Sequence, residues 1–484
     1  MSRREVVFFL LVWGCAWSLV TCLLDPTVPY DAVEALNWAQ NAEWGSPKNP
    51  WLPGVMMMPV AGLGGVARSI WWYVSHFGAA VTGLAGVVCL ARVMNPDRRL
   101  AALAPLSLMV SGVACVDLVP YNDNYLLVML WPWVLYFCYQ ALARGPVWWP
   151  AFALAAGLAC MAKYSTFALV AGVFVITLAV RTYRRVYREP LFWLALGLFL
   201  LLVVPNLLWL QAHHFAAFRW VGSQISTQAN LRLPLIILSV FYPLLILAGG
   251  LRGSGAGWRC PRATARRAVL FVYGAPLGMI LVWFAFHHGG RLTEWLQPFV
   301  VPAPALLLSM VRLPAGRSVR RMSRLYGLAG GVMLAGYVAV MTLNIRQAGE
   351  KFSGIKPFSE AVLQAWQSRY PVPLRYVGGE WLSQWLLFYL PGAPHTLMPW
   401  SAETTPNIYN RDITAAQLRR AGGVVVGEEG QACPHARFPA FRRNWPDIIP
   451  EVEVTLYFRR APSAREVPVC VAFIAPQQEG PGAP

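Results

Sequence analysis

Five short polar clusters interrupt an otherwise apolar chain, and their residue types are those of acid–base and phosphate chemistry. The first is DPTVPYDAVEALNWAQNAEWGSPKNPWLPG, which holds Asp25, Asp31, Glu34, Glu43 and Lys48. Asp31 and Glu34 stand three residues apart, so a helix puts them on one face. A carboxylate there serves as a general base or a metal ligand; Pro-Tyr-Asp before a periodic stretch is equally a helix-capping pattern. The second, VPYNDNYLLVMLWPW, sets Asp123 between two asparagines, which by itself also reads as a turn. In the third, CMAKYSTF, Lys163 beside Tyr164 breaks a long apolar run. A lysine can snorkel from such a run, and at its estimated outer boundary it suits an anionic headgroup such as a lipid phosphate. The fourth, LLWLQAHHFAAFRW, brings His213, His214 and Arg219. Paired histidines bind metal or shuttle protons, although adjacent histidines are also common as plain interfacial groups. The fifth, FHHGGRLTEWLQPF, holds His287, His288, Arg291, Glu294 and Trp295. Arginine suits bidentate phosphate recognition, and Arg–Glu at this spacing is also an ordinary helical ion pair.

Taken singly each cluster has a bland reading. Together they supply carboxylates for acid–base or metal work and cations for phosphate. That chemistry fits a donor with a phosphate headgroup and a tail in lipid. Breaking a sugar–phosphate bond needs stabilisation of the leaving phosphate, for which Lys and Arg serve, and activation of an acceptor, for which a carboxylate serves. No Walker A or Rossmann glycine pattern is present in the sequence, which argues against a nucleotide-driven pump.

The elements that position these clusters are membrane helices. Of 484 residues 57% are hydrophobic and only 13% charged, against roughly 25% charged in soluble domains, and mean hydropathy is +0.47. This composition excludes a soluble enzyme, a disordered chain and a disulfide-framed secreted module. Apolar runs long enough for a ~30 Å hydrocarbon core lie at 6–24, 72–91, 100–119, 125–142, 147–161, 164–180, 190–210, 233–251, 268–286, 295–311 and 325–343. The expectation is a polytopic α-helical membrane protein with about eleven transmembrane helices. The first run is long for a signal peptide and has no evident small-residue cleavage site, so it reads as a retained helix. Alternate loops differ sharply in charge. One side collects 20 of the 40 basic residues in short loops, and the other side's membrane loops hold six: Lys48, Arg68, Lys163, Arg219, Arg232 and Arg291. By the positive-inside rule the N-terminus is cytoplasmic and the five clusters face outward. Topology thus accounts for half the basic charge behind the net +18, and nucleic-acid binding loses its warrant.

Beyond about Asn344 hydropathy falls. PLRYVGGE and AGGVVVGEE read as short strands and Trp381–Leu390 as a helix, giving two parts: a transmembrane domain over 1–345 and a small periplasmic α/β domain over 346–484. PQQEGPGAP reads as a frayed end. No internal repeat is evident. Seven cysteines fall in membrane or cytoplasmic stretches as apolar filler; Cys433 and Cys470 are the pair in the outer part, where an oxidising compartment permits a disulfide.

In their order, the acidic first loop, Lys48 before Pro50, NDNYLLVMLW, MAKYS, PNLLWLQAHHFAAF and RLTEWLQP resemble the bacterial dolichyl-phosphate-mannose-protein mannosyltransferase-like group. That group includes the aminoarabinose lipid A transferases, within the membrane-embedded C-type glycosyltransferases. The resemblance spans most of residues 1–345. It implies transfer of a sugar from a polyprenyl-phosphate donor, at the periplasmic face of the bacterial inner membrane, to lipid A, another envelope glycan or a protein. It also implies roles. Asp31 matches the first-loop catalytic acid, with Ala32 where an adjacent Glu is usual, so that Glu34 is the candidate substitute. Lys48 matches a donor-phosphate lysine of a Lys-Pro-Pro element, with Asn49 departing from it. Asp123 matches the second-loop Asp, and Lys163 the lysine of a Ser-Lys-Tyr element in which Ala162 replaces Ser. His214 matches a His-Asp-Trp element in which Phe215 replaces Asp, and Arg291 and Trp295 fall in the loop before a Trp-Leu-x-Pro.

The resulting expectation is an inverting glycosyltransferase. Lys48, Arg291 and Lys163 hold donor phosphate. Asp31 acts on the acceptor with Asp123 and Glu34 as further catalytic carboxylates, and His214, Glu294, Trp295 and Tyr164 line the acceptor and sugar. A divalent metal on Asp31, Asp123 and His214 is a second option. Its partners are membrane lipids, the lipid-linked donor and the acceptor. Two other classes stay open: a non-catalytic lipid-linked-sugar transporter or flippase, and an envelope assembly protein.

Overall fold

A computed structural model describes residues 3–95, 97, 100–115, 122–228, 230–289, 291–314, 318–343, 345, 353–392, 394–397 and 413–477. Among these, seven helices are long and apolar enough to cross a membrane: Arg4–Leu24, Gly65–Met94, Tyr125–Arg144, Pro190–Ala212, Leu233–Gly253, Thr264–Phe286 and Arg320–Thr342. Their 20 to 30 residues give about 30–45 Å at 1.5 Å rise per residue, which matches the hydrocarbon core. Pro132, Pro205, Pro243 and Pro276 sit inside four of them, a placement that membrane helices tolerate because neighbouring groups satisfy the freed carbonyls. Leu194, Leu201 and Leu208 recur every seventh residue of Pro190–Ala212 and are all exposed, an apolar stripe suited to lipid.

Among the described residues the other four expected spans take forms other than one long helix. The stretch 147–180 is two helices of 14 residues, Trp149–Ala162 and Thr166–Ala179, divided at Lys163. At about 21 Å each they are shorter than the core. The run from 100 becomes the short helix Leu103–Ser107 followed by the 3-10 turns Leu108–Val110 and Gly112–Ala114; its end, 116–119, lies outside the described residues, as do the arginines at 98, 99 and 317 used in the charge count. The run 295–311 breaks into Leu292–Val300 and Ala303–Leu308. Pro302 and Pro304 lack the N–H needed to carry one helix through.

The chain folds as two compact units: Met1–Leu19, Lys48–Leu52 and Val74–Val338 in one, and Val20–Pro47, Pro53–Tyr73 and Ala339–Pro484 in the other. In the first, Trp149–Ala162 packs against both Tyr125–Arg144 and Pro190–Ala212. Gly83 lets Gly65–Met94 approach the helix Tyr125–Arg144 closely, since a Cβ there would collide with the Val128 carbonyl.

The second unit is built on a five-stranded sheet. In spatial order its strands are His395–Thr396, Tyr376–Gly379, Gly423–Glu429, Val467–Ile474 and Val452–Phe458; the first three are parallel and the last two antiparallel to their neighbours. Two of these strands and the helix Ser383–Tyr389 occupy stretches that the sequence marks as such. The run Val424, Val425, Val426 is wholly buried, as expected of a central strand covered on both faces. Trp366 and Phe358 of the helix Ile355–Gln367 meet Phe473 and Phe458 of the sheet. The first-loop helix Tyr30–Asn41 belongs to this unit. Its Tyr30 ring lies 5.1 Å from Trp385 and its hydroxyl donates to Gln384 at 2.9 Å. Arg68, fully buried, donates to the carbonyls of Leu387, Phe388 and Leu390 at the end of Ser383–Tyr389. A cation there satisfies the open C-terminal carbonyls of that helix. A disulfide joins Cys433 and Cys470.

Candidate active site

The charged cluster of the first unit is assembled from four segments. Asn122–Asn124 precedes the helix Tyr125–Arg144, and Asn124 N–H donates to the Asn122 side-chain oxygen at 2.9 Å, the Asn-rich turn foreseen for this sequence. The turn is pinned from outside as well. Asn122 donates to Gln297 at 3.0 Å, and the Asn124 amide to the carbonyl of Glu294 at 2.9 Å. Buried within it, Asp123 meets Lys163 with Oδ1 to Nζ 2.6 Å apart, and its other oxygen accepts from the side-chain amide of Asn49. Lys163 reaches it because the helix Trp149–Ala162 stops one residue earlier and the backbone at Lys163 is extended, φ −154°. Burial pushes the Asp123 carboxyl up. The charges of Lys163 and Lys48, with hydrogen bonds from Lys163 and Asn49, outweigh that and hold it below the usual carboxylate range.

Beside this cluster two cations converge on one indole. The Lys48 ammonium, itself buried, lies 5.6 Å from the centre of the Trp220 ring, and the Arg291 guanidinium 5.5 Å from it. A ring face attracts each cation, while the two charges raise the local positive potential and favour an anion. The two-residue strands Ile225–Ser226 and His288–Gly289 pair antiparallel, which ties the segment after Trp220 to the segment before Arg291. Arg291 is held loosely by Glu294, 3.4 Å away, with both side chains over a third exposed. Trp295 packs on Phe284 at 5.4 Å, and Tyr164 on Phe218 at 5.4 Å.

The sequence-predicted residues therefore fall into groups. Lys48, Asp123 and Lys163 come together in the first unit, with Arg291 joined to Lys48 through Trp220. Tyr164, Glu294 and Trp295 stand in the adjoining segments. His214 is exposed in a left-handed turn, φ 52°, followed by Phe215 at φ 55°; two such residues in succession end Pro190–Ala212 abruptly and strain the backbone. Asp31 and Glu34 are buried, 9% and 4% exposed, in the helix Tyr30–Asn41 of the second unit. The residue before that helix, Pro29, makes no side-chain cap. For a metal, the one group of three candidate ligands in close range among the described residues is Cys433, Glu453 and Cys470. Its two thiols are consumed by the disulfide, so it does not suit a cation.

Sequence reasoning passed over Asn122, Gln297 and Trp220 and took Asn49 only as a departure from a motif. Gln297 carried a signal, a neutral polar residue inside an apolar run, which in membrane helices marks a satisfied buried contact. Trp220 carried none among 22 tryptophans.

Residues 66–209 match the family model described as dolichyl-phosphate-mannose-protein mannosyltransferase. Compared with curated protein sequences, the chain gives no significant match. Among solved structures it is similar to ArnT from Cupriavidus metallidurans bound to undecaprenyl phosphate, with TM-score 0.62 and 16% identity over 100% of both chains. The apo state of that ArnT gives TM-score 0.59 at 17% identity over 99% of each. The mycobacterial arabinofuranosyltransferase AftD gives TM-score 0.50 at 14% identity, covering 99% of this chain and 40% of its own. At these identities the likeness is one of fold. By that fold and by the family match over 66–209, the chain resembles the dolichyl-phosphate-mannose-protein mannosyltransferase-like and ArnT-like membrane glycosyltransferases.

Proposed function

We propose that this protein is a glycosyltransferase of the bacterial inner membrane that moves a sugar from a polyprenyl-phosphate donor to lipid A, another envelope glycan or a protein. The observation that carries this reading is the pair of cations, Lys48 and Arg291, on Trp220 beside the buried Asn49–Asp123–Lys163 cluster. Cations at a leaving phosphate stabilise the charge that develops there, and a buried carboxylate that fixes Lys163 and faces Lys48 keeps both in place before the donor arrives. Asp123 thus acts as a positioning residue, its two oxygens taken by Asn49 and Lys163. The family match and the fold it shares with ArnT support the same chemistry.

In the reaction the acceptor oxygen attacks the anomeric carbon from the face opposite the phosphate. The bond from that carbon to the phosphate oxygen breaks, polyprenyl phosphate leaves, and configuration inverts. The acceptor proton passes to Asp31, the first-loop carboxylate proposed as base from its place in the motif order, with Glu34 on the same helix as a second carboxylate. His214, Tyr164, Glu294 and Trp295 are the proposed contacts to sugar and acceptor. In the proposed orientation the N-terminus is cytoplasmic and the C-terminal part from 346 is periplasmic.

The test is incubation of the purified protein with donor lipid and acceptor extract, following release of free polyprenyl phosphate. A transferase releases it, whereas a flippase or assembly protein does not. Asp31→Asn is expected to lower the rate by about 10²–10⁴-fold, the usual worth of a general base. Full activity in that variant removes Asp31 from the mechanism.

A further inference from the structure

A second concentration of cations lies at the other end of the helix Thr264–Phe286, whose 23 residues span about 34 Å. Arg291 follows its C-terminal end. Around its N-terminal end, a cleft of about 920 Å³ is lined by Arg259, Arg262, Arg266, Arg267 and Arg312 together with Trp258. The cleft is built by the backbone. Gly257–Trp258 pairs antiparallel with Val311–Arg312, Arg259 N–H donates to the Met310 carbonyl at 2.8 Å, and Arg267 Nε donates to the Pro261 carbonyl at 2.8 Å. Arg266 Nε is shielded from solvent and has no hydrogen-bond partner among the described residues. Among the described residues no carboxylate lines the cleft, and between Glu189 and Glu350 the only acidic residue in the sequence is Glu294, which pairs with Arg291. Loop arginines that merely set topology need only be solvated near the membrane. These five instead converge on one concavity, repel one another and leave a shielded donor unused. A bound anion with several acceptor oxygens resolves all three, and arginine is the side chain suited to phosphate.

We propose that this arginine cleft is a binding site for a phosphate group, separate from the donor site. Two sources carry that chemistry: the headgroup of an anionic phospholipid and a soluble phosphate. Trp258, half exposed at the cleft, is the residue type that settles at headgroup level, and basic pockets between membrane helices hold anionic headgroups.

The experiment is native mass spectrometry of the full chain in detergent, titrated with phosphatidylglycerol and, in parallel, with phosphatidylcholine. Wild type is expected to bind phosphatidylglycerol about tenfold more tightly, and Arg259→Gln/Arg262→Gln/Arg266→Gln to lose that preference, since each basic residue near a headgroup contributes about fivefold. Arg181→Gln/Arg184→Gln/Arg185→Gln, which removes the same charge from another loop, is expected to keep it. Arg266→Gln alone, with binding about fivefold weaker, serves should the triple variant not fold. Displacement of the lipid by millimolar inorganic phosphate assigns the site to soluble phosphate, and persistence of the lipid assigns it to the headgroup. Equal binding of the two lipids by wild type, without protection by inorganic phosphate in a thermal shift, overturns the proposal, as does equal loss in the control variant.

Discussion

The first unit holds two acid–base pairs near Trp220 that look alike in sequence and differ in kind. Asp123 and Lys163 are 40 positions apart, 2.6 Å from each other and nearly closed to solvent, with side chains 3% and 16% exposed. Arg291 and Glu294 are three positions apart, 3.4 Å from each other and 39% and 37% exposed. The first pair is made by tertiary structure, with Asp123 closed to solvent and Lys163 only slightly open to it. The second is made by one helical turn and is solvated throughout. A buried pair fixes geometry, because either charge alone is costly. An exposed pair releases its arginine at little cost, because its attraction is screened. On the proposed chemistry this division is useful: a fixed lysine beside the phosphate position and a guanidinium free to turn toward it.

The sharpest way to break the contrast is Asp123→Ala. It strands Lys163 in a closed site and takes the acceptor from Asn49, so the expected loss is about 3–5 kcal/mol, read by unfolding in mixed detergent micelles. Lys163→Met added to it is expected to recover much of that loss, since a neutral apolar pair needs no solvation. A double variant as unstable as the sum of the singles shows that the two groups do not interact.

Next in size is the dependence on pH. The folded Asp123 carboxyl titrates below its usual range, so in acid the unfolded chain binds the proton first. Stability from this group is complete above about pH 5, beyond the ordinary carboxylate pKa of ~3.9. It is lost as pH falls through the lower folded value. Wild type should therefore hold a flat unfolding midpoint from neutral pH to about 5 and decline in acid, and Asp123→Asn should show a shallower acid limb. Equal acid limbs in the two proteins contradict the assignment.

How far the sequence foretold this arrangement depends on what each signal measures. Asp123 and Lys163 were both legible, because a charge that interrupts an apolar run needs a reason. Their pairing was not, since it depends on the turn at Lys163 that ends Trp149–Ala162. Asn49 looked like a broken motif and is an Asp123 donor. Hydropathy located the seven long helices because length and composition are what it sums. It overran at 100–119 and 295–311, where helix continuity fails for want of N–H donors at Pro302 and Pro304 and through the 3-10 turns after Ser107. The placing of Tyr30–Asn41 with the sheet unit rests on contacts to Gln384 and Trp385, some 350 residues away, which no local pattern reports. The cap pattern at Pro-Tyr-Asp marked the start of that helix correctly without a cap bond being formed.

The smallest expected effect lies at the exposed pair, and there stability and activity should part company. Arg291→Ala and Glu294→Gln are each expected to change stability by less than about 1 kcal/mol, the range of solvated pairs. If Arg291 turns to the donor phosphate, Arg291→Ala raises the apparent KM for donor lipid about tenfold, equal to ~1.4 kcal/mol of lost binding, while Glu294→Gln frees the guanidinium and leaves KM unchanged or lower. Arg291→Lys tells charge from shape. A lysine keeps the positive potential near Trp220 but not the forked donor pair, so recovery of only part of the lost affinity points to bidentate phosphate contact, and full recovery to charge alone. An unchanged KM in Arg291→Ala removes this residue from the donor site and leaves Lys48 and Lys163 as its cations.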